Sequence, residues 1–307
     1  MNLLEKEWYI QVPWGKMAII AWGDCCDPPV LLCHGLVDSA ISFRPLVSQL
    51  PKNFYYIGIE LPGNGMSDRF LPGLMLSAYD MAYSVHAVVK HFRWKTFTYI
   101  GHSFGAYLGK LYNQCYPGRI EKVVELDPIN FIAIPPEQFR MWYHSRFTDF
   151  YKNYEKYNTP KEKAPKMKWK EGIEALKKNR PELNDELAAA TVERLSEPVG
   201  DGLIRYTFDL RMKCINGPAY SPEHVKKIFT AVKTPTLTIA SKESLKKKLF
   251  RNTDFLLDET QYPGGNFRCR TVEGGHDVHV SNPERVAPFV TQFLLYGTEG
   301  LDNKAKL

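Results

Sequence analysis

Gly101-His102-Ser103-Phe104-Gly105 sets a serine between two glycines. It follows directly on the apolar run 96–100 and directly precedes the helix-like run 106–112. Strand, sharp turn and helix are the context of a nucleophile elbow. Glycines near the serine let the backbone pass close to itself without a Cβ clash. Such a turn lifts the Ser103 hydroxyl above a sheet, at the positive end of the next helix. The chemistry implied is acyl transfer through a serine. A pentapeptide of this kind also recurs by chance, so its weight rests on its flanks and its partners.

An alkyl hydroxyl needs a base, and the base needs a carboxylate to orient it. Behind an elbow the chain order is serine, acid, histidine. His276, in Gly274-Gly275-His276-Asp277, follows the last strand-like segment on a loop that glycine leaves free to bend. His279 is the rival; a helical turn starting here would carry it one turn away, to pack or cap. The acid has two candidates. The turn after the strand-like run 236–240 reads Ser241-Lys242-Glu243-Ser244, without an aspartate near 244. Asp127 ends the run 120–126, where open α/β sheets build their sites, and Pro128 directs the chain away. Position favours Asp127 over Glu243. The two oxyanion donors are expected from the N–H of Phe104 and, in Cys33-His34-Gly35-Leu36, the N–H of Leu36.

These residues need a sheet beneath them. Runs 7–13 and 16–22 read as a hairpin around Trp14-Gly15, and 29–33 and 54–60 as short strands. In 77–92, Met81, Val85, Val88, Val89 and Phe92 share one helix face. Strands are expected at 96–100, 120–126, 236–240 and 268–273, and helices at 104–115 and 283–295. That alternation predicts an α/β fold, with a mostly parallel sheet covered on both faces. Between 130 and 232 the chain turns helix-rich, basic and aromatic, with few strand signals. The organisation expected is a core of 1–129 and 233–307 with a helical cap, 130–232, inserted into it. Gly63-Asn64-Gly65 reads as a tight turn, since it lacks the third glycine of a dinucleotide loop.

The 307 residues carry a net charge of +6, with 44% hydrophobic content. No apolar stretch approaches the ~20 residues of a membrane span. The N-terminus carries Glu5, Lys6 and Glu7 without the apolar stretch of a signal peptide. Six cysteines, two of them the adjacent Cys25-Cys26, show no metal-ligand spacing. They point to a reducing compartment and to no metal or other cofactor. Ala305-Lys306-Leu307 is similar to a peroxisomal import tripeptide; peroxisome or cytoplasm is the expected location. Segment 151–180 holds ten basic and four acidic residues, the whole of the net excess. Such a run is most simply a solvated helical face, or else an attractor of phosphate-bearing ligands. It carries no nucleic-acid motif.

With Val12-Pro13-Trp14-Gly15, Pro28-Pro29-Val30-Leu31, His34-Gly35, Phe54-Tyr55-Tyr56, the Gly-Asn-Gly turn, the elbow and the Gly-Gly-His loop, the chain resembles the α/β-hydrolase superfamily. Within it, the chain looks like the animal serine hydrolase-like proteins of the kraken type. The resemblance implies a serine nucleophile, a histidine base and a peroxisomal home; it fades across the cap. Some haloalkane dehalogenase relatives place their acid at the position matching Asp127. Their nucleophile is an aspartate; Ser103 argues against dehalogenase and epoxide hydrolase chemistry, since an alkyl ether on serine resists water. The expected activity is hydrolysis of an apolar ester or thioester through an acyl-enzyme. His34, His102, Phe131, Trp142 and Phe147 are expected to meet the substrate. Phe139, Tyr143 and Phe150 line the same pocket or form the cap's own core. A ligand-binding protein on this scaffold is the alternative, and the missing aspartate near 244 favours it; a cofactor-free oxygenase or luciferase-like enzyme is a third reading, since such relatives also keep the pocket and histidine.

Overall fold

The computed structural model describes residues 4–128 and 133–302. Phe131 and the C-terminal Ala305-Lys306-Leu307 lie outside the described residues.

Strands β1 (Glu5–Val12) and β2 (Gly15–Trp22) form an antiparallel hairpin. Val12 pairs with Gly15, so Pro13-Trp14 makes the turn, one residue earlier than expected. Strands β3 (Pro29–Cys33) and β4 (Tyr55–Ile59) pair in parallel. Helix α1 (Ala78–Phe92) starts at a capping box: Ser77 Oγ accepts from the Tyr79 amide at 3.0 Å, and Asp80 accepts from the Ser77 amide at 3.1 Å. Its Met81, Val85, Val88 and Val89 are buried, as their spacing requires. Strand β5 (Phe97–His102), helix α2 (Phe104–Cys115) and strand β6 (Ile120–Leu126) follow.

The segment between β6 and the next sheet strand is mainly helical, but it holds a small antiparallel sheet of β7 (Met167–Lys168), β8 (Ser196–Pro198) and β9 (Leu203–Tyr206). Strands of two to four residues are too short to show an alternation, which is why the sequence presents no strand signal there. Helices α3 (Trp169–Asn179) and α4 (Asp185–Leu195) pack beside it, and α5 (Pro222–Thr230) leads back to the sheet. Strands β10 (Thr236–Ser241) and β11 (Phe267–Val272) complete it. The last helix, α6 (Ala287–Asp302), begins later than 283 because Pro283–Arg285 forms a short 3-10 turn, and it breaks at Gly297.

The large sheet has eight strands among the described residues, in the order β1-β2-β4-β3-β5-β6-β10-β11. β2 runs antiparallel to both its neighbours, β1 and β4; β4, β3, β5, β6, β10 and β11 are mutually parallel. Leu31, Cys33, Ile57 and Ile59 enter one apolar cluster, while Val30, Leu32 and Tyr56 enter the other on the opposite face. Burial on both faces explains why these strands read as continuous apolar runs. The carboxyl ends of β3, β5, β6, β10 and β11 therefore converge along one edge, where the candidate residues sit.

Candidate active site

The turn between β5 and α2 consists of Ser103 alone, at φ 53° and ψ −115°. A non-glycine residue held at positive φ is strained and persists only when its surroundings impose it. Here the imposition is close packing. A Cβ on Gly105 would strike the Cys33 carbonyl, and one on Gly101 would come within 2.5 Å of the Ala106 amide nitrogen. These two glycines let helix α2 rise directly out of β5. Asp127, one residue past β6, also has positive φ, 42°. The two strained non-glycine turns at the ends of β5 and β6 thus carry the serine and the aspartate.

The structure brings Ser103, His276 and Asp127 into one hydrogen-bonded line. Ser103 Oγ lies 2.8 Å from His276 Nε2, and His276 Nδ1 lies 2.5 Å from Asp127 Oδ2. A carboxylate oxygen accepts, so Nδ1–H donates to Asp127 and Nε2 is left to accept from the serine hydroxyl. Asp127 is 1% exposed and its other contacts are all donors: the Ser241 amide at 2.7 Å to Oδ1 and the Ser244 hydroxyl at 2.5 Å to Oδ2. Ser241 Oγ in turn bonds Ser244 Oγ at 2.9 Å. The position where the sequence lacks an aspartate thus supplies a serine that holds the aspartate of the neighbouring strand. Glu243 is exposed and pairs with Lys247 at 3.2 Å. Of the two acid candidates, the histidine meets Asp127.

Burial opposes charging His276, but the hydrogen bond and charge of Asp127, with the charge of Asp277, outweigh it and raise its pKa above the usual 6.5. His279 lies fully buried against Phe43 and His102, with ring centroids 5.3 Å and 4.1 Å away. Its burial pushes its pKa well down, and neither ring nitrogen has a hydrogen-bond partner among the described residues.

Two histidines expected to touch substrate sit beneath the site instead. His34 is fully buried; Nδ1–H donates to the Gly35 carbonyl at 2.7 Å and Nε2 accepts from the Leu61 amide at 3.0 Å. Both ring nitrogens are spent on backbone, so His34 shapes the loop that carries Leu36. His102, 2% exposed, donates from Nε2 to the His276 carbonyl at 3.0 Å and so braces the histidine loop from below. Burial, with the nearby His276, lowers its pKa to about 4, so it stays neutral in this role.

Leu36 and Phe104, the expected amide donors, line one cavity of about 90 Å³ together with Tyr107, Trp142, Arg146 and Met212. Trp142 is thus at the cavity wall. Phe147 stands behind it, stacked on Tyr143 at 5.2 Å and edge-on to Trp142 at 5.7 Å. Phe150 is fully buried and stacks on Tyr157, within the inserted segment's own packing. A larger cleft of about 420 Å³, between Trp14, Arg69 and Tyr157, contains none of the site residues.

Sequence reasoning missed the charged cluster beside the site. Arg180, assigned by the sequence to the basic run, points inward and binds Asp277 through two nitrogens, at 2.7 and 2.9 Å, and Asp38 at 3.0 Å. The surrounding lysines Lys163, Lys166, Lys168 and Lys178 are exposed. Asp38, His102 and Asp277 bring possible ligand atoms within 4.8 Å of one another. The guanidinium already meets both carboxylates, which makes the cluster a poor metal centre.

The geometry agrees with what known proteins show. The chain matches the α/β-hydrolase fold family over residues 28–193. It is 30% identical to a serine hydrolase-like protein of Danio rerio, covering 96% of this chain and 90% of that one. It is 27% identical to serine hydrolase-like protein 2 of Homo sapiens, over 95% and 94% of the two chains. A hypothetical protein of Pseudomonas aeruginosa superposes with a TM-score of 0.80 at 21% identity, over 94% of this chain and 99% of that one. A thioesterase domain from the curacin biosynthetic pathway superposes with a TM-score of 0.72 at 16% identity, over 94% and 99%. With its parallel sheet, its serine turn and these matches, the chain belongs to the α/β-hydrolase family and has the serine hydrolase-like proteins as its relatives.

Proposed function

We propose that the chain is a serine hydrolase that cleaves a carboxylic ester or thioester through an acyl-enzyme on Ser103. The observation that carries this is the line Ser103 Oγ–His276–Asp127, with links of 2.8 and 2.5 Å. His276 Nε2 takes the hydroxyl proton as Ser103 Oγ attacks the acyl carbon, and returns it to the leaving oxygen or sulfur. Asp127 orients the ring and stabilises its cation. The amides of Leu36 and Phe104 receive the oxyanion. Water, deprotonated by the same nitrogen, releases the acid and restores Ser103.

The neighbouring cavity of about 90 Å³ suits a short acyl group. The segment inserted between β6 and β10 acts as a cap over it, with Trp142 as a wall. The exposed lysines of 151–180 support a thioester whose leaving group bears phosphates, as in coenzyme A. The missing aspartate near 244 favoured a ligand-binding role; the contact of Asp127 with His276, braced by Ser244, supports the hydrolytic reading instead.

The test is labelling of the purified chain with a fluorophosphonate probe. Wild type labels and Ser103→Ala does not, while both melt at the same temperature. A folded wild type that fails to label refutes an activated serine.

A further inference from the structure

Arg180 is the residue after helix α3, in the inserted segment, and its side chain is 13% exposed. Its two partners belong to different loops of the sheet edge. Asp38 lies two residues past Leu36, on the loop after β3. Asp277 lies next to His276, on the loop after β11. Both are almost fully buried, at 3% and 5% exposure. Glu182, two residues further along the insert, accepts the Asp277 amide at 3.2 Å. The insert therefore grips the histidine loop by side chain and backbone together, while His102 holds the His276 carbonyl from below.

We propose that Arg180 is a positioning residue: seating its guanidinium on Asp38 and Asp277 couples docking of the insert to the alignment of His276 with the oxyanion loop. This rests on the serine-hydrolase reading of Ser103. A planar fork suits the task, because it bridges two carboxylates in a fixed geometry that a lysine does not reproduce. Burial makes the contact consequential. Without the guanidinium, Asp38 and Asp277 face each other and His102 with no cation, and buried carboxylates without a partner are costly. The loops then relax away from the geometry that serves Ser103. A substrate held under the docked insert meets an aligned base; an undocked insert leaves the base poorly placed.

The charges around His276 give a distinctive readout. Asp127 approaches it from β6, Asp277 lies beside it, His102 lies below, and Arg180 and Glu182 come from the insert. Glu243 lies near Gly275, and His279 is one turn on. Asp127 and Asp277 raise the His276 pKa and Arg180 lowers it. Loss of Arg180 therefore moves His276 further up.

The experiment compares wild type with Arg180→Gln and Arg180→Lys, each as the full chain. The rate of fluorophosphonate labelling and the hydrolysis of p-nitrophenyl acetate are followed from pH 5 to 9. Arg180→Gln is expected to slow labelling and lower kcat by about 10- to 100-fold, the size of a small misplacement of reacting groups. KM changes by less than about threefold, and the midpoint of kcat/KM moves to higher pH by about half a unit or more. Arg180→Lys recovers part of the rate and the midpoint. If Arg180→Gln is unfolded by circular dichroism, Asp38→Asn replaces it, since it frees one loop and leaves the Arg180–Asp277 pair intact; it is then expected to label more slowly. A folded variant that labels at the wild-type rate with an unmoved midpoint overturns the proposal while leaving the hydrolase reading standing. A folded wild type that does not label overturns both.

Discussion

In the eight-stranded sheet, adjacent residues of β3 enter opposite apolar clusters, and both clusters are large. In the insert, the separate apolar cluster among the described residues is Leu183 and Ala188, completed by Val280 from the other side of the contact. Phe150, Val192, Leu195 and Ile204 of the insert are also buried, and Met212, Val225 and Phe229 join the main core; arginines add polar ties. Arg180 spans Asp38 and Asp277, Arg194 pairs with the buried Glu60 at 2.7 Å, and Arg69, from the core, donates to the Thr207 and Phe208 carbonyls. A sheet packed on both faces is rigid and holds strained turns such as Ser103 and Asp127 in place. The insert is tied on by buried, directional ion pairs, each of which leaves a costly unpartnered carboxylate when its arginine is lost. The lesson is a division of labour: the sheet sets the line of serine, histidine and acid, and the segment after β6 contributes Arg180 and Glu182 to the loops beside it.

The comparison breaks most sharply at the acid. Asp127→Asn is expected to reduce kcat by about 10³- to 10⁴-fold, as removal of an orienting carboxylate does, while Glu243→Gln stays within about twofold. For wild type, kcat/KM should rise with pH through a midpoint above 6.5, because His276 must be neutral to accept the serine proton and its pKa is raised. Asp127→Asn removes the main influence raising it, so the residual activity should persist to lower pH. Steady-state rates across pH check all three; an equal loss in both acid variants would mean the sheet alone does not place the acid.

Arginine 194 sharpens the contrast between stability and rate. Its partner Glu60 is fully buried and also accepts the Met66 amide at 2.6 Å. Arg194→Ala strands that carboxylate and is expected to cost about 3 kcal/mol in urea unfolding. Labelling of Ser103 in the folded fraction should stay within about threefold of wild type, because Arg194 touches neither site loop. A variant slowed as much as Arg180→Gln would mean that any loosening of the insert impairs the site.

The smallest expected effect belongs to the exposed lysines. Lys163, Lys166 and Lys168 changed together to Glu should lower acyl-CoA hydrolysis by about tenfold at low salt and leave p-nitrophenyl acetate hydrolysis within twofold. An equal response of both substrates would leave the charged run as solvated surface.

Much of the fold was legible because its signals are local. The apolar runs of β3, β5 and β6, the face of α1 with its Ser77 cap, and the Gly-rich elbow are each written in a few consecutive residues. The short strands β7, β8 and β9 were not legible, being shorter than any alternation. The inward seating of His34 and His102 was not legible either: their hydrogen bonds run to backbone carbonyls and an amide that no sequence pattern announces.

By itself, the sequence determined the elbow at Ser103, the order of serine, acid and histidine, and the alternating core, since each depends on neighbours in the chain. The tertiary structure decided between Asp127 and Glu243, because the choice rests on the parallel pairing of β6 with β10, which brings Ser241 and Ser244 to Asp127. It also turned Arg180 inward from a run of exposed lysines. Two buried carboxylates from loops 239 residues apart stabilise one cation there, and only folding brings them together.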